Sequence, residues 1–164
     1  MKRKAIYLVI AAITAVIVLF IVFFAPGKPS TIDSNSEAPK QPIHWHPRLT
    51  IMIKGQEQLI PTNIGISIGN NIDNQISGMR MSPTHTHESD GTLHLENNRP
   101  WLKPETLTLG YFFEVWGKNF NSSCIFEYCS DEDGMLTMTV NRQPNNEFDK
   151  YIMHDKDEIL IEYR

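Results

Sequence analysis

The chain has 164 residues and a formal charge of −4 at pH 7. Setting aside Lys2, Arg3 and Lys4, twelve Lys and Arg remain against 19 acids, a balance of −7. Such an acidic surface excludes a nucleic-acid partner, which needs clustered cations, and it suits the attraction of metal cations. The length fits one domain and a tether.

The tether comes first. Ala5 to Phe24 is a run of 20 residues without a charge, almost all Ile, Val, Ala, Leu and Phe. That is the length a helix needs to cross a bilayer. The run has no polar face, unlike a helix packed on a core. The cations in front of it place the N-terminus in the cytoplasm. Residues 1–24 are therefore expected to form a single N-terminal transmembrane anchor, with everything from Ala25 onward outside the cytoplasm. A cleaved signal peptide is the alternative, but Phe23 and Phe24 before Ala25 fit a cleavage site poorly. Residues 25–42 contain four prolines and almost no apolar side chains, so they read as a flexible linker. Residues 43–164 are the extracytoplasmic domain.

Within that domain, Leu49 to Lys54 alternates with period two, a strand signal. A turn at Gly55–Glu57 would return it through Gln58–Ile60, with Pro61 as the stop. Ile64, Ile66 and Ile68 suggest a further short strand. Residues 69–91 read as one long loop, which in a compact domain is often functional. Thr92–Glu96 alternates again, with Leu93 and Leu95 on one face and His94 and Glu96 on the other. The clearest helix runs from Thr108 to Trp116. Leu109, Phe112, Phe113 and Trp116 make its apolar stripe, Thr108 is its N-cap and Gly117 its terminator. Strands follow at Met135–Val140 and Glu158–Tyr163. The polar turn between them holds His154, which reads as a solvated side chain. A hairpin, one main helix and two further strands predict a small β-rich α+β domain of β-grasp type, with a β-sandwich as the fallback.

Cys124 and Cys129 are the only cysteines. Outside the cytoplasm a lone pair forms a disulfide by default, worth roughly 2–3 kcal/mol for so short a loop. Thiolate metal ligands are the alternative.

The chemistry lies in the histidines, five of which fall between positions 44 and 94. Imidazole nitrogens bind zinc, copper, nickel and iron. On an extended backbone, residues two apart point the same way, so His44 with His46, and His85 with His87, can each reach one ion. His94 can join them after a turn at Asp90–Gly91. Glu88 and Glu96 could complete the shell or, at an open position, act as general base on a bound water. Met79 and Met81 hint at copper(I), though apolar gap-filling explains them as well. The expected ligand is thus zinc or copper, held by His85, His87, His94, His44 and His46 with Glu96 and Glu88. Metal binding, delivery or sensing is the leading role. A metal-dependent hydrolase or hydratase, and a metal-free module sensing pH through its imidazoles, are the alternatives. The cupin pattern is not met, because Gly91 and Thr92 stand where it expects Glu. The zincin pattern, a Ser-His-Asp elbow and a phosphate loop are also absent.

Several stretches form a set: His44-Trp45-His46-Pro47, Ile60-Pro61-Thr62-Asn63-Ile64-Gly65, Thr84-His85-Thr86-His87 and Gly91-Thr92-Leu93-His94-Leu95-Glu96. Leu109-Gly110-Tyr111-Phe112-Phe113 with Trp116-Gly117, and Val140-Asn141 with Asp157-Glu158-Ile159, extend it. In these pieces the chain resembles an uncharacterised family of small prokaryotic proteins with one N-terminal membrane anchor. The resemblance spans about residues 43–163 and implies membrane tethering and a shared role for the histidines. It implies no reaction and names no protein partner. The tether is checked by N-terminal sequencing of the membrane fraction: an intact start is expected, and a start near Pro26 would show cleavage.

Overall fold

The computed structural model describes residues 42–70, 72–74, 80–97 and 103–164. The anchor expected at 5–24, the linker up to residue 41, and Met79 lie outside the described residues. Among the described residues no helix is long and apolar enough to cross a membrane.

The domain is a small mixed α/β fold dominated by strands, with one α-helix among the described residues. Its larger sheet is built from β2 (Arg48–Ile53), β3 (Gln56–Glu57), β8 (Leu136–Val140), β9 (Gln143–Pro144) and β10 (Glu158–Tyr163), in the order β3-β2-β10-β8-β9. β10 lies parallel to β2 and antiparallel to β8. Alternation decides the buried face: Leu49, Ile51 and Ile53 of β2 and Ile159, Ile161 and Tyr163 of β10 are all buried. The return of the first hairpin differs from expectation. Lys54 and Gly55, both with positive φ, form the turn, so Gln56–Glu57 pairs with β2. Two residues with positive φ give the tight hairpin whose twist matches the strands, which puts the return strand ahead of Gln58. Ile64 and Ile68 meet only as an isolated bridge. Gly65 has φ +72 and its N–H donates to the Ile68 carbonyl, so this stretch curls on itself instead of extending.

α1 (Leu109–Trp116) forms as expected. The Thr108 hydroxyl accepts from the Tyr111 N–H, and Gly117 closes the helix in the left-handed conformation. Phe112 and Phe113 are fully buried, and Tyr111 and Val115 are buried as well. The helix is enclosed on more than the single stripe its spacing implied. Cys124 in β6 (Cys124–Ile125) and Cys129 in β7 (Tyr128–Cys129) face each other across a small hairpin and are joined by a disulfide. That overturns the thiolate alternative: no free cysteine exists to ligate a metal.

A second, three-stranded sheet carries the histidines. β5 (His94–Asn97) is its centre, with β1 (Ile43–Trp45) and β4 (Thr84–His85) antiparallel on either side. Neither flanking strand is legible by alternation. β4 lies inside the stretch expected to be loop, and β1 is only three residues long. The two sheets are stitched at the start of β2, where the Leu49 N–H donates to the Gly91 carbonyl at 2.8 Å and the Leu93 N–H to the Pro47 carbonyl at 2.9 Å. Gly91 has φ +84, and a Cβ there would sit 2.3 Å from the Leu49 carbonyl oxygen. Conformation and contact thus both require glycine. Gly91→Ala is expected to lower stability by more than about 1 kcal/mol, measured by urea denaturation of the metal-free protein.

Candidate metal centre

Antiparallel pairing sets residues directly opposite each other on one face of a sheet. In this sheet the opposed pairs are His85 with His94, and His44 with Glu96. His94 and Glu96 are two residues apart on the central strand, so all four side chains share that face. The other face points inward: Ile43 and Leu95 are buried there together with the polar Thr84 and Asn97, and the buried Leu93 continues it. His46 and His87, each two residues past a histidine of the sheet, extend the same face. Ring centroids lie 4.6 Å apart for His87 and His94, 4.7 Å for His46 and His94, 4.8 Å for His85 and His87, and 4.6 Å for His44 and His46. Four imidazoles thus gather around His94.

The donors fall into two sets. His85, His87, His94 and Glu96 offer one ligand atom each, all within 4.8 Å of one another. His44, His46 and His94 do the same. The first set is the deeper. His85 is fully buried, and its Nδ1 lies 3.0 Å from the Ser82 carbonyl. A carbonyl only accepts, so Nδ1 carries the proton and Nε2 keeps its lone pair. That Nε2 lies 3.2 Å from Nε2 of His87. Two nitrogens bound tetrahedrally at 2.0–2.1 Å would be about 3.3 Å apart, so the pair already has the span of two ligands on one zinc-sized ion. The Ser82 contact is also the kind of outer partner that fixes the orientation of a metal-bound histidine.

Electrostatics agree with ligand duty. Burial pushes the His85 imidazole down to about 4. Burial, then the neighbouring His87 and His46, lowers His94 as well. Metals bind the neutral ring, and at neutral pH His85 is held in that form. Nδ1 of His94 is buried without a hydrogen-bond partner. Its nearest carboxylate oxygen, Oε1 of Glu96, is 3.6 Å away, too far for a hydrogen bond. A buried polar atom left unpaired costs about 1–3 kcal/mol, and a cation at this point would remove the cost.

The sequence-predicted residues therefore divide. His85, His87, His94 and Glu96 converge, and His44 and His46 join through His94. Glu88, expected as ligand or base, is exposed on the bend at 87–90 and belongs to neither set. Met81 is partly buried, next to Ser82.

Other contributors were not foreseen. Oδ1 of Asp155 accepts the His46 N–H at 2.9 Å, across 109 positions of sequence. His154, expected to be merely solvated, stacks on Trp45 with centroids 5.9 Å apart and 26° between planes. The turn that carries both is anchored by Asp157. This buried carboxylate accepts from the Tyr151 hydroxyl at 2.6 Å, the His154 N–H at 2.7 Å and Asn141 Nδ2 at 2.9 Å. No spacing in the sequence points to these contacts, although the polar run Asp155-Lys156-Asp157 marks the turn. No family model, curated protein or solved structure matches the chain.

Burial, then the bond to Asp157, raises the Tyr151 phenol above its ordinary value of 10.0. The folded state thus holds this proton more tightly than the unfolded one. Its contribution is complete below pH ~10 and lost as pH rises beyond it. Tyr151→Phe is expected to cost about 1–3 kcal/mol at pH 7 by stripping a donor from a buried carboxylate. It should also flatten the loss of stability above pH ~10, both read from denaturant midpoints across pH.

Proposed function

We propose that this chain is a membrane-anchored extracytoplasmic domain that binds a transition metal, zinc or copper, through its histidine cluster, and serves metal binding, delivery or sensing at the cell surface. One observation carries the reading: three imidazoles and a carboxylate lie within 4.8 Å of one another, and the buried His94 Nδ1 has no other partner. Three neutral nitrogens and one oxygen suit zinc or copper(II) better than magnesium or calcium, which favour all-oxygen shells. The anchor rests on residues 5–24 and the cations before them. The strand order β3-β2-β10-β8-β9, with a hairpin first and the last strand parallel to β2, supports a β-grasp arrangement, with the small histidine-bearing sheet added to it. Membership in the uncharacterised membrane-anchored family is part of the same proposal and rests on the shared His and aromatic motifs.

The two alternatives gain less. As base for a hydrolytic reaction, Glu88 stands outside the cluster, and Glu96 lies where it serves as a ligand. As a pH sensor, His85 is held near 4 by burial, well below the range in which an imidazole switch works. The test is the metal content of the purified full chain after loading with zinc or copper(II) and desalting, with wild type beside His85→Ala/His87→Ala. One retained ion per wild-type chain and its loss in the variant are expected. Equal content in the two overturns the proposal.

A further inference from the structure

We infer that the metal reaches its final position in two steps, captured first by His44, His46 and His94 and then passed to His85, His87, His94 and Glu96, with His94 bound throughout. The inference rests on the metal-site reading above and adds an order of events to it. Three observations carry it.

First, the two donor sets share His94. A neutral imidazole has a single lone pair, since its other nitrogen carries the proton. Both sets therefore cannot be filled at once with a neutral His94, and they act as successive positions of one ion.

Second, the sets differ in access. The outer donors are all at least partly open, with the His44 side chain 65% exposed and His94 19%, while the inner set combines one exposed ring, His87, with one fully buried ring, His85. A hydrated cation meets the open rings first and His85 last. It must shed water to reach His85, and a neighbouring set of nitrogens lets it exchange ligands one at a time.

Third, the sets are coupled through Glu96. Nε2 of His44 lies 2.8 Å from Oε1 of Glu96, an inner-set carboxylate. In that contact His44 donates an N–H and Glu96 accepts it. An ion bound at His44 Nε2 takes the place of that proton, so the contact breaks and the carboxylate is freed to ligate the inner position. When the ion moves inward, His44 is released. Asp155, which holds the His46 backbone N–H at 2.9 Å, keeps the outer pair beside His94 during the exchange.

A waypoint of this kind lowers the barrier in both directions and leaves the final equilibrium alone. The experiment follows zinc uptake from a weak buffering chelator by stopped flow, and release to excess strong chelator, on the full chain. Wild type is compared with His44→Ala and His44→Gln/His46→Gln. One ion per chain is expected in all three proteins. Uptake and release should both slow in the variants, by about tenfold or more. In His85→Ala/His87→Ala, fast and weak binding should remain. Two ions in wild type would overturn the inference in favour of simultaneous occupancy. One ion with unchanged rates would overturn it too, as would faster release from the variants, which marks the outer pair as permanent ligands. An absence of metal from wild type would instead remove the metal-site reading on which the inference stands.

Discussion

The register of β5 between β1 and β4 is the constraint on which the site depends. It puts His94 opposite His85 and Glu96 opposite His44. A slip of one residue would send His94 and Glu96 to the apolar side and bring Leu95 into their place. The slip is opposed because Leu93 and Leu95 are fully buried. The hydrophobic face thus holds the polar face in register: burial of the leucines determines where the imidazoles point. Gly91 guards the same register from the other end, where its carbonyl meets the start of β2.

The site is also a place where folding and ligand binding pull on the same atoms. A fully buried His85 with a lowered proton affinity and an unpaired Nδ1 on His94 are unfavourable features for an apolar fold to maintain. The Ser82 carbonyl offsets part of this for His85. A metal would offset the rest, because it would satisfy the His94 Nδ1 that no protein donor reaches, and its binding energy would add to the stability of the fold. The outer histidines carry less of this tension. His44 is exposed and paired with Glu96, and the His46 backbone is tied to Asp155.

Much of the frame could be read directly. The strands around Leu49–Ile53, His94–Glu96, Leu136–Val140 and Glu158–Tyr163 follow from alternation. The helix after Thr108 follows from its cap and apolar spacing. The Cys124–Cys129 bond follows from there being no other cysteine. What was missed has a common cause. β1 and β4 are too short to show a period, and they exist because β5 offers both its edges. The hairpin return was misplaced by the conformation of Lys54, a residue that does not advertise a positive φ. Glu88 looked as eligible as Glu96 because proximity in sequence says nothing about which way a turning backbone aims a side chain.

The amino-acid order by itself determined the ligand types, the His-x-His pairs, the acidic balance and the apolar alternation, since each is a property of neighbours along the chain. Tertiary structure alone decided that His44 meets Glu96, that His94 belongs to two donor sets, and that Asp155 and Ser82 hold ligand residues in place. Such contacts join positions as far as 109 residues apart. They depend on strand register and on which faces can be buried together, quantities that no local spacing encodes.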